Sequence, residues 1–204
     1  MLAGCSSEKP APKEAAAPTP APAPAEEAKT APPAGTFKVA FDTTKGSFVV
    51  EVHPDWAPLG AARFKELVED KYFDNTGFFR VVPNFVVQFG IAADPAKSAK
   101  WDRNIQDDPV IRTNKRGTLT FAKTSMPNSR STQLFINLKS NQILDDQGFA
   151  PFGEVMGSGM DVVDRLTSQY GENPNQGMIM QQGTPYLKSN FPELDFIKKA
   201  AIVP

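Results

Sequence analysis

Two short stretches of this chain bring together a cation, amides and aromatic rings. Arg80 is followed by Phe85 and Gln88, and further along the chain Gln133 is followed two residues later by Phe135. An arginine offers permanently charged N–H donors, a glutamine both donates and accepts, and a phenylalanine presents an apolar surface. Such a set suits the binding of a substrate through hydrogen bonds and apolar contacts, and it requires no acid, base or nucleophile.

Each of these residues also has an ordinary structural interpretation. Aromatic residues dominate protein cores, so Phe85 and Phe135 taken singly are expected to be core residues. Arg80 alternates with apolar neighbours, as an exposed charge on a strand also does, and the same holds for Gln88. For each of these residues taken alone, the structural interpretation is the favoured one.

Composition excludes several other kinds of chemistry. The chain has 22 Lys and Arg against 23 Asp and Glu, a net charge of −1, and no basic stripe, so we expect no nucleic-acid partner. It has one histidine, His53, and one cysteine, Cys5, too few for a structural zinc site or a disulfide. His53 precedes Pro54 in a loop and is interpreted as a surface residue. We expect no metal and no cofactor.

Two acidic pairs are interpreted as solvated turn carboxylates. Asp107-Asp108 and Asp145-Asp146 lie among turn-forming residues, and they are too few to predict a calcium site without further ligands.

The N-terminal part of the chain differs in composition from the rest. Of the 19 prolines, 8 lie before Gly35, in a stretch otherwise made mostly of Ala, Lys and Glu. Residues 6–35 therefore predict a disordered linker, partly polyproline-II, that reaches at most about 90 Å. The folded domain is predicted to occupy residues 36–204.

The first five residues, Met1-Leu2-Ala3-Gly4-Cys5, end in a sequence that resembles the lipobox of bacterial lipoproteins. The resemblance implies a lipid on Cys5, a domain tethered to a membrane and a location in the bacterial cell envelope, periplasmic or otherwise extracytoplasmic. The basic and apolar regions of a signal peptide do not precede it, so we expect an earlier start codon or a sequence that begins within its signal. No run of about 18 apolar residues predicts a membrane span.

The elements that must position the candidate residues are mostly short strands. Apolar residues alternate from Phe37 to Phe41 and from Phe48 to Val52, which predicts a β-hairpin. Further strands are predicted over 78–82, 85–89, 117–122, 133–137 and 152–155. One amphipathic helix is predicted to begin at Pro58 and another to run from about Met160 to Tyr170. The last apolar stretch, 197–203, is predicted as a closing strand, although 194–199 is also compatible with a helix. Closure removes exposed edges, so we expect one antiparallel domain, most economically a closed barrel.

Three of these segments, 78–90, 117–122 and 132–137, resemble the cyclophilin family of peptidyl-prolyl cis-trans isomerases, and the match extends to Leu144-Asp145 and to 152–155. The resemblance covers roughly 37–203. It implies a mainly β fold, a closed eight-stranded antiparallel β-barrel capped by two α-helices, with a groove that holds a proline.

The resemblance also assigns the site residues by motif. The catalytic set is Arg80, Phe85, Gln88 and Phe135, and the substrate-binding set is Val86, Ala122, Lys123, Gln133, Leu144 and Phe149. Lys123, Val86 and Phe149 stand where many members have Asn, Met and His. Ile143 stands where cyclosporin-sensitive members have Trp, which implies weak cyclosporin binding.

The chemistry expected of such a site follows from the amide bond. Rotation about an X-Pro bond is slow because resonance is lost, with a barrier of roughly 18–20 kcal/mol. A guanidinium that donates to the pyramidal prolyl nitrogen would stabilise the twisted state without proton transfer. The expected partners are therefore proline-containing polypeptides, and we expect a monomer.

Two alternatives remain at this point. One is a catalytically weak module, a proline-peptide binder or chaperone, that keeps the groove without turnover. The other is a barrel that binds a small hydrophobic ligand in its interior, which bulky apolar residues on every predicted strand count against.

Overall fold

The computed structural model describes residues 35–204. The predictions for residues 1–34, which include lipidation of Cys5 and the proline-rich linker, lie outside these described residues. Within residues 35–204, no helix has the length and apolar character needed to cross a bilayer.

The described chain contains eight strands and six short helices. The strands are β1 (Phe37–Thr43), β2 (Gly46–Val52), β3 (Arg80–Val82), β4 (Val86–Phe89), β5 (Thr118–Phe121), β6 (Leu134–Asn137), β7 (Pro151–Val155) and β8 (Ile197–Val203). The helices are α1 (Pro58–Glu69), α2 (Pro95–Trp101), α3 (Ile143–Asp146), α4 (Gly159–Val163), α5 (Gln176–Gln182) and α6 (Thr184–Asn190). The predicted hairpin and the five following strands are all present, with bounds that differ by one or two residues.

The eight strands form one sheet in the order β3-β4-β6-β5-β7-β2-β1-β8, and every pairing is antiparallel. β1 lies between two partners: it pairs with β2 from Phe37↔Val52 to Thr43↔Gly46, and with β8 from Lys38↔Val203 onward. Its alternating apolar residues face the interior, where Val39 and Phe41 are fully buried. The predicted mainly β fold of eight antiparallel strands is confirmed.

The sheet curls so that its two edge strands, β3 and β8, approach each other. They meet through the residues at and just before the N-terminal end of each strand. Gly77 and Phe196 form an isolated antiparallel bridge, Phe78 N–H donates to Asp195 O, and Ile197 N–H donates to Thr76 O. β3 and β8 do not pair along their lengths, so the barrel is joined through this short seam and is less completely closed than predicted.

The interior of the curled sheet is filled by aromatic rings. The fully buried phenylalanines of this core include Phe41, Phe64, Phe73, Phe89 and Phe152. Their ring centroids lie 5.2–6.3 Å apart in the pairs that contact each other. An interior packed with side chains counts against the alternative of a small ligand held inside the barrel.

Helix α1 begins at the predicted proline and depends on one residue of an acidic pair. Asp108 accepts hydrogen bonds from the backbone N–H groups of Leu59 and Gly60, at 3.1 and 2.8 Å, in the first turn of α1. Its carboxylate also pairs with Arg130, Nη1 to Oδ2 2.9 Å, and both side chains are 1% exposed. The interpretation of Asp108 as a solvated turn carboxylate is therefore wrong: it is a buried cap of α1, held by a buried arginine.

The other acidic pair is divided between two roles. Asp145 accepts from both the backbone N–H and the side-chain amide of Asn114, each at 2.8 Å, whereas Asp146 is exposed. Only Asp146 fits the interpretation as a solvated turn carboxylate.

The second predicted helix is shorter than expected. α4 ends at Val163, and residues 164–170 form turns in which Thr167 N–H donates to Asp195 Oδ2 at 2.7 Å. A carboxylate from a distant segment thus satisfies a donor that a longer helix would have used. The prediction of two helices also missed α2, α3, α5 and α6, which are short and lie in segments rich in turn residues. At the C-terminus the strand prediction is confirmed, because β8 pairs with β1, and the helix alternative for 194–199 is wrong.

Candidate active site

A row of side chains crosses three neighbouring strands on the outer face of the sheet. In the strand register Arg80 of β3 lies opposite Gln88 of β4, and Gln88 lies opposite Phe135 of β6. Their neighbours Val87 and Ile136 point inward and are fully buried. Because side chains alternate along a strand, the buried set fixes the register and so presents Arg80, Gln88 and Phe135 together on the outside.

Hydrogen bonds connect the polar members of this row. Arg80 Nη1 donates to Gln88 Oε1 at 3.4 Å, and Gln88 Nε2 donates to Gln133 Oε1 at 2.8 Å. The Arg80 guanidinium also lies over the Phe85 ring, 5.6 Å from its centroid. The structure thus brings together Arg80, Phe85, Gln88 and Gln133, four of the residues that the resemblance assigns to the site.

Beside the guanidinium lies a separate apolar cluster, which forms the candidate pocket for a substrate ring. Val86, Phe135 and Leu144 are 3, 5 and 7% exposed, and partly buried side chains pack against them: Phe85, Ala122 and Phe149. The Phe135 and Phe149 rings meet edge to face, with centroids 5.7 Å apart. Every apolar residue predicted for the site belongs to this cluster, which could hold a small ring next to Arg80.

The remaining wall of the pocket follows β5. Ala122 N–H donates to Gln133 O at 2.9 Å, which continues the β5–β6 pairing. Lys123 lies over the Phe149 ring, 5.6 Å from its centroid, and its Nζ is 3.7 Å from Asp107 Oδ2. The lysine side chain is only 11% exposed, so its charge is held against the pocket rim and balanced by Asp107.

A buried network of amides supports the pocket from below, and the sequence did not predict it. Asn141 Nδ2 donates to Phe85 O at 2.9 Å and to Asn137 Oδ1 at 2.8 Å, and Asn137 Nδ2 donates to Asn114 Oδ1 at 3.1 Å. Asn114 Nδ2 in turn donates to Phe149 O at 2.8 Å. These bonds fix the backbone of two of the three pocket phenylalanines, Phe85 and Phe149. The available signal was Asn137, which ends a run of buried apolar residues in β6.

His53 directly follows β2, which does not carry any of the groove residues. Its side chain is 15% exposed, its ring stacks on Trp56 with centroids 4.0 Å apart, and its Nε2 is 3.5 Å from Glu51 Oε2 and 3.8 Å from Glu154 Oε1. Donor atoms of these three residues lie within 4.8 Å of one another. His53 is thus more buried than the predicted surface residue, and it separates two carboxylates that face each other in the β2–β7 register.

Comparison with known proteins gives a family to this arrangement. The family model described as cyclophilin type peptidyl-prolyl cis-trans isomerase/CLD matches residues 37–184. A peptidyl-prolyl cis-trans isomerase of Acinetobacter baylyi is 36% identical over 67% of this chain and 77% of its own. The chain belongs to the cyclophilin family. It is an isomerase of that type, and the predicted enzyme class is confirmed.

Other relatives place the cyclophilin in the same family and fold. Peptidyl-prolyl cis-trans isomerase B of Escherichia coli is 32% identical over 72% of this chain and 98% of its own. A solved cyclophilin of Cryptosporidium parvum superposes with a TM-score of 0.63, at 21% identity, over 83% of this chain and 99% of its own, which supports the fold.

Proposed function

We propose that this cyclophilin accelerates X-Pro isomerisation by donating a hydrogen bond from Arg80 to the prolyl nitrogen in the twisted state. The observation that carries the proposal is the register Arg80↔Gln88↔Phe135, which sets a guanidinium, an amide and an aromatic floor side by side. As the amide twists, its nitrogen becomes pyramidal and accepts a hydrogen bond that the planar amide accepts poorly. A donor that acts only then lowers the barrier rather than the ground state.

The apolar cluster supplies the grip on the proline ring. Phe85, Phe135, Leu144 and Phe149 would enclose the ring, while Gln88 and Gln133 fix the guanidinium and the neighbouring carbonyl. A solved cyclophilin of Cryptosporidium parvum was determined in the presence of the dipeptide Ala-Pro, which supports proline-containing peptides as the ligand class here. The backbone beside Ala122 and Lys123 would accept the rest of the peptide as an extended strand.

The lowering of the activation barrier that this mechanism requires is moderate for an enzyme. If the barrier fell by about 7 kcal/mol, the rate would rise by about five powers of ten. One charge-assisted hydrogen bond in a partly buried site supplies a few kcal/mol of this, and restraint of the bound peptide supplies the remainder.

The clients and the location belong to the same proposal. We take the lipobox-like sequence that ends at Cys5 as support for a lipid-anchored protein of the bacterial envelope, which would act on exported chains whose folding waits for proline isomerisation. Expression from the natural start with a labelled fatty acid tests this. Label should enter the wild type and be lost in Cys5→Ala, and equal labelling of both would exclude that anchor.

The catalytic proposal is tested with the 204-residue chain and a short Ala-Pro-Phe peptide. Arg80→Ala should lower kcat/KM by about a hundredfold or more, as removal of a transition-state donor does. Arg165→Ala is the matched control, because Arg165 is exposed and donates to Lys45 O, outside the groove. Full activity in a folded Arg80→Ala variant would exclude the assigned role, and peptide binding without turnover by the wild type would favour the binding module.

A further inference from the structure

The guanidinium of Arg80 has a partner that the motifs do not include. Arg80 Nε donates to Glu172 Oε1 at 2.5 Å, and Arg80 Nη2 lies 2.5 Å from the same oxygen. This contact spans 92 positions of sequence. Its two distances are far shorter than the 3.4 Å between Arg80 Nη1 and Gln88 Oε1, so the carboxylate is the closer of the two side chains that orient the arginine.

Glu172 is carried by a turn that is fixed to the strand bearing Arg80. Gly171 O accepts from Val81 N–H at 3.2 Å, and Asn173 N–H donates to Tyr170 O at 2.9 Å. Gly171 has φ +52°, in the left-handed region, and this conformation lets the chain turn back so closely. Glu172, which follows Gly171, therefore lies next to Arg80, which precedes Val81.

The same turn is anchored from behind by a second hydrophobic cluster. Tyr170 packs on it, with its ring 5.1 Å from that of Phe191, and its hydroxyl accepts from Glu193 N–H at 3.2 Å. The buried residues of this cluster are Phe79 and Ile91, which flank β3 and β4, Ile179 of α5, Leu187 of α6, and Leu194 between α6 and β8. Phe79 directly precedes Arg80, so one packed unit holds both partners of the ion pair.

We propose that Glu172 is a positioning residue for the catalytic arginine, an inference that rests on the proposed role of Arg80. An arginine has four rotatable bonds and loses much freedom when it is held in one geometry. In this structure Nε and Nη2 are held by Glu172, Nη1 faces Gln88, and the plane lies over Phe85. The guanidinium N–H groups that are not used in these contacts remain for the substrate.

The position of Glu172 suggests a role for the chain segment that follows it. The segment of residues 171–190, which contains α5 and α6, builds the second cluster and supports the turn. We therefore interpret this segment as a support that fixes the position of Arg80, and not as a separate binding site.

The test compares Glu172→Ala and Glu172→Gln with the wild type in the full chain. The rate of cis-trans isomerisation of the Ala-Pro bond is measured by NMR exchange, and the affinity for the Ala-Pro-Phe peptide is measured separately by titration. Glu172→Ala should lower kcat about five- to tenfold, because the lost restraint is part of the side-chain entropy of an arginine. The peptide Kd should change less than about twofold, since Arg80 acts in the twisted state.

The conservative variant separates positioning from charge. The side-chain amide in Glu172→Gln retains an oxygen that accepts from Nε and Nη2, so the kcat of this variant should stay within about twofold of the wild type. Glu193→Ala is the matched control, because it removes an equal charge from an exposed side chain of the same region. A Glu172→Ala variant with wild-type kcat, or a Glu172→Gln variant as slow as Glu172→Ala, would overturn the proposal.

A second readout does not depend on turnover. The Nε–Hε signal of Arg80 should be protected from solvent exchange in the wild type and in Glu172→Gln, and exposed in Glu172→Ala. If the wild type shows this protection of the Nε–Hε signal but does not accelerate isomerisation, the proposed mechanism is wrong, although the Arg80–Glu172 contact is present. If the wild type is active and the Nε–Hε signal is unchanged in Glu172→Ala, the positioning role is wrong.

Discussion

Arg80 of β3 and Gln88 of β4 face each other in the strand register, and the Gln88 side chain also donates a 2.8 Å hydrogen bond to Gln133. The guanidinium is therefore oriented from one side by an amide that is itself fixed. This relay gives Gln88 a role that can be measured apart from that of the arginine.

Gln88→Ala should lower kcat/KM about tenfold, because it removes an acceptor from Arg80 and leaves the Gln133 amide unpaired. The rate of Ala-Pro-Phe isomerisation measures this. Gln182→Ala, on the exposed face of α5, is the control and should behave as the wild type. An unchanged rate for Gln88→Ala would show that the guanidinium does not need the amide.

Phe135→Ala should affect both stability and binding. The ring is 5% exposed and forms the floor of the pocket, so its removal should cost about 3 kcal/mol of unfolding free energy, as for other buried phenylalanines. Peptide affinity should fall with it. Phe191→Ala, in the second cluster, should lower stability without the loss of affinity. Denaturant unfolding and peptide titration separate the two effects, and equal affinities for the two variants would contradict the assigned floor.

Asp108→Ala should destabilise the domain by about 2–3 kcal/mol, because it removes the cap of α1 and one of the two carboxylates that pair with the buried Arg130, while Asp107 remains 3.3 Å from Arg130 Nε. Asp146→Ala, at an exposed carboxylate, should change stability by less than about 0.5 kcal/mol. Thermal and denaturant unfolding measure both. The double variant Asp108→Leu with Arg130→Met should recover part of the loss, and no recovery would show that the cap matters more than the ion pair.

Asp70 should make stability depend on acid pH. Its carboxylate accepts from Trp101 Nε1 at 2.7 Å and from Lys100 Nζ at 3.0 Å, and these bonds, the first above all, lower its pKa from the ordinary value of 3.8. A pKa that is lower in the folded state stabilises the fold above the unfolded value, and this contribution is lost as the pH falls through the folded pKa.

Asp70→Asn should therefore cost about 1 kcal/mol at pH 7 and progressively less below pH 3.8. Unfolding in urea across this pH range is the measurement. Asp55→Asn, in the turn after β2, serves as the exposed control. A deficit that stays constant down to strongly acid pH would show that the loss comes from packing of the amide.

Ile143→Trp should raise the affinity for cyclosporin. Ile143 begins α3 at the pocket rim and is 66% exposed, so an indole can be accommodated there without a clash. One added hydrogen bond with its apolar contact should strengthen binding about tenfold. Ile111→Trp, at another exposed isoleucine, is the control for a general effect of tryptophan. Tight binding by the unaltered chain would contradict the expectation.

The hairpin and the other strands were predictable because they depend on alternation along single strands. Arg80, Gln88 and Phe135 occupy the positions that the buried neighbours leave outside. The family resemblance assigned these three residues to the site, together with the pocket residues, which come from segments far apart in sequence.

The features that sequence reasoning missed depend on contacts between distant segments. Asp108 resembles any turn carboxylate until Arg130 and the start of α1 are seen around it. Glu172 is one exposed acid among many, and its place beside Arg80 depends on the Gly171–Val81 hydrogen bond and on the packing of Tyr170 in the second cluster. The early end of α4 likewise depends on Asp195, which no local pattern indicates.

The place of β1 between β2 and β8 has a mechanical consequence. The strand is paired with β2 over its seven residues and with β8 along most of its length. A pull on the chain that precedes Phe37 would act along the strand axis, in shear against both ladders, so many hydrogen bonds would have to break together. Resistance of this kind is measured as the rate of unfolding under force. It would preserve the geometry of the groove if force acted on the domain through its N-terminus while the groove held an incompletely folded polypeptide.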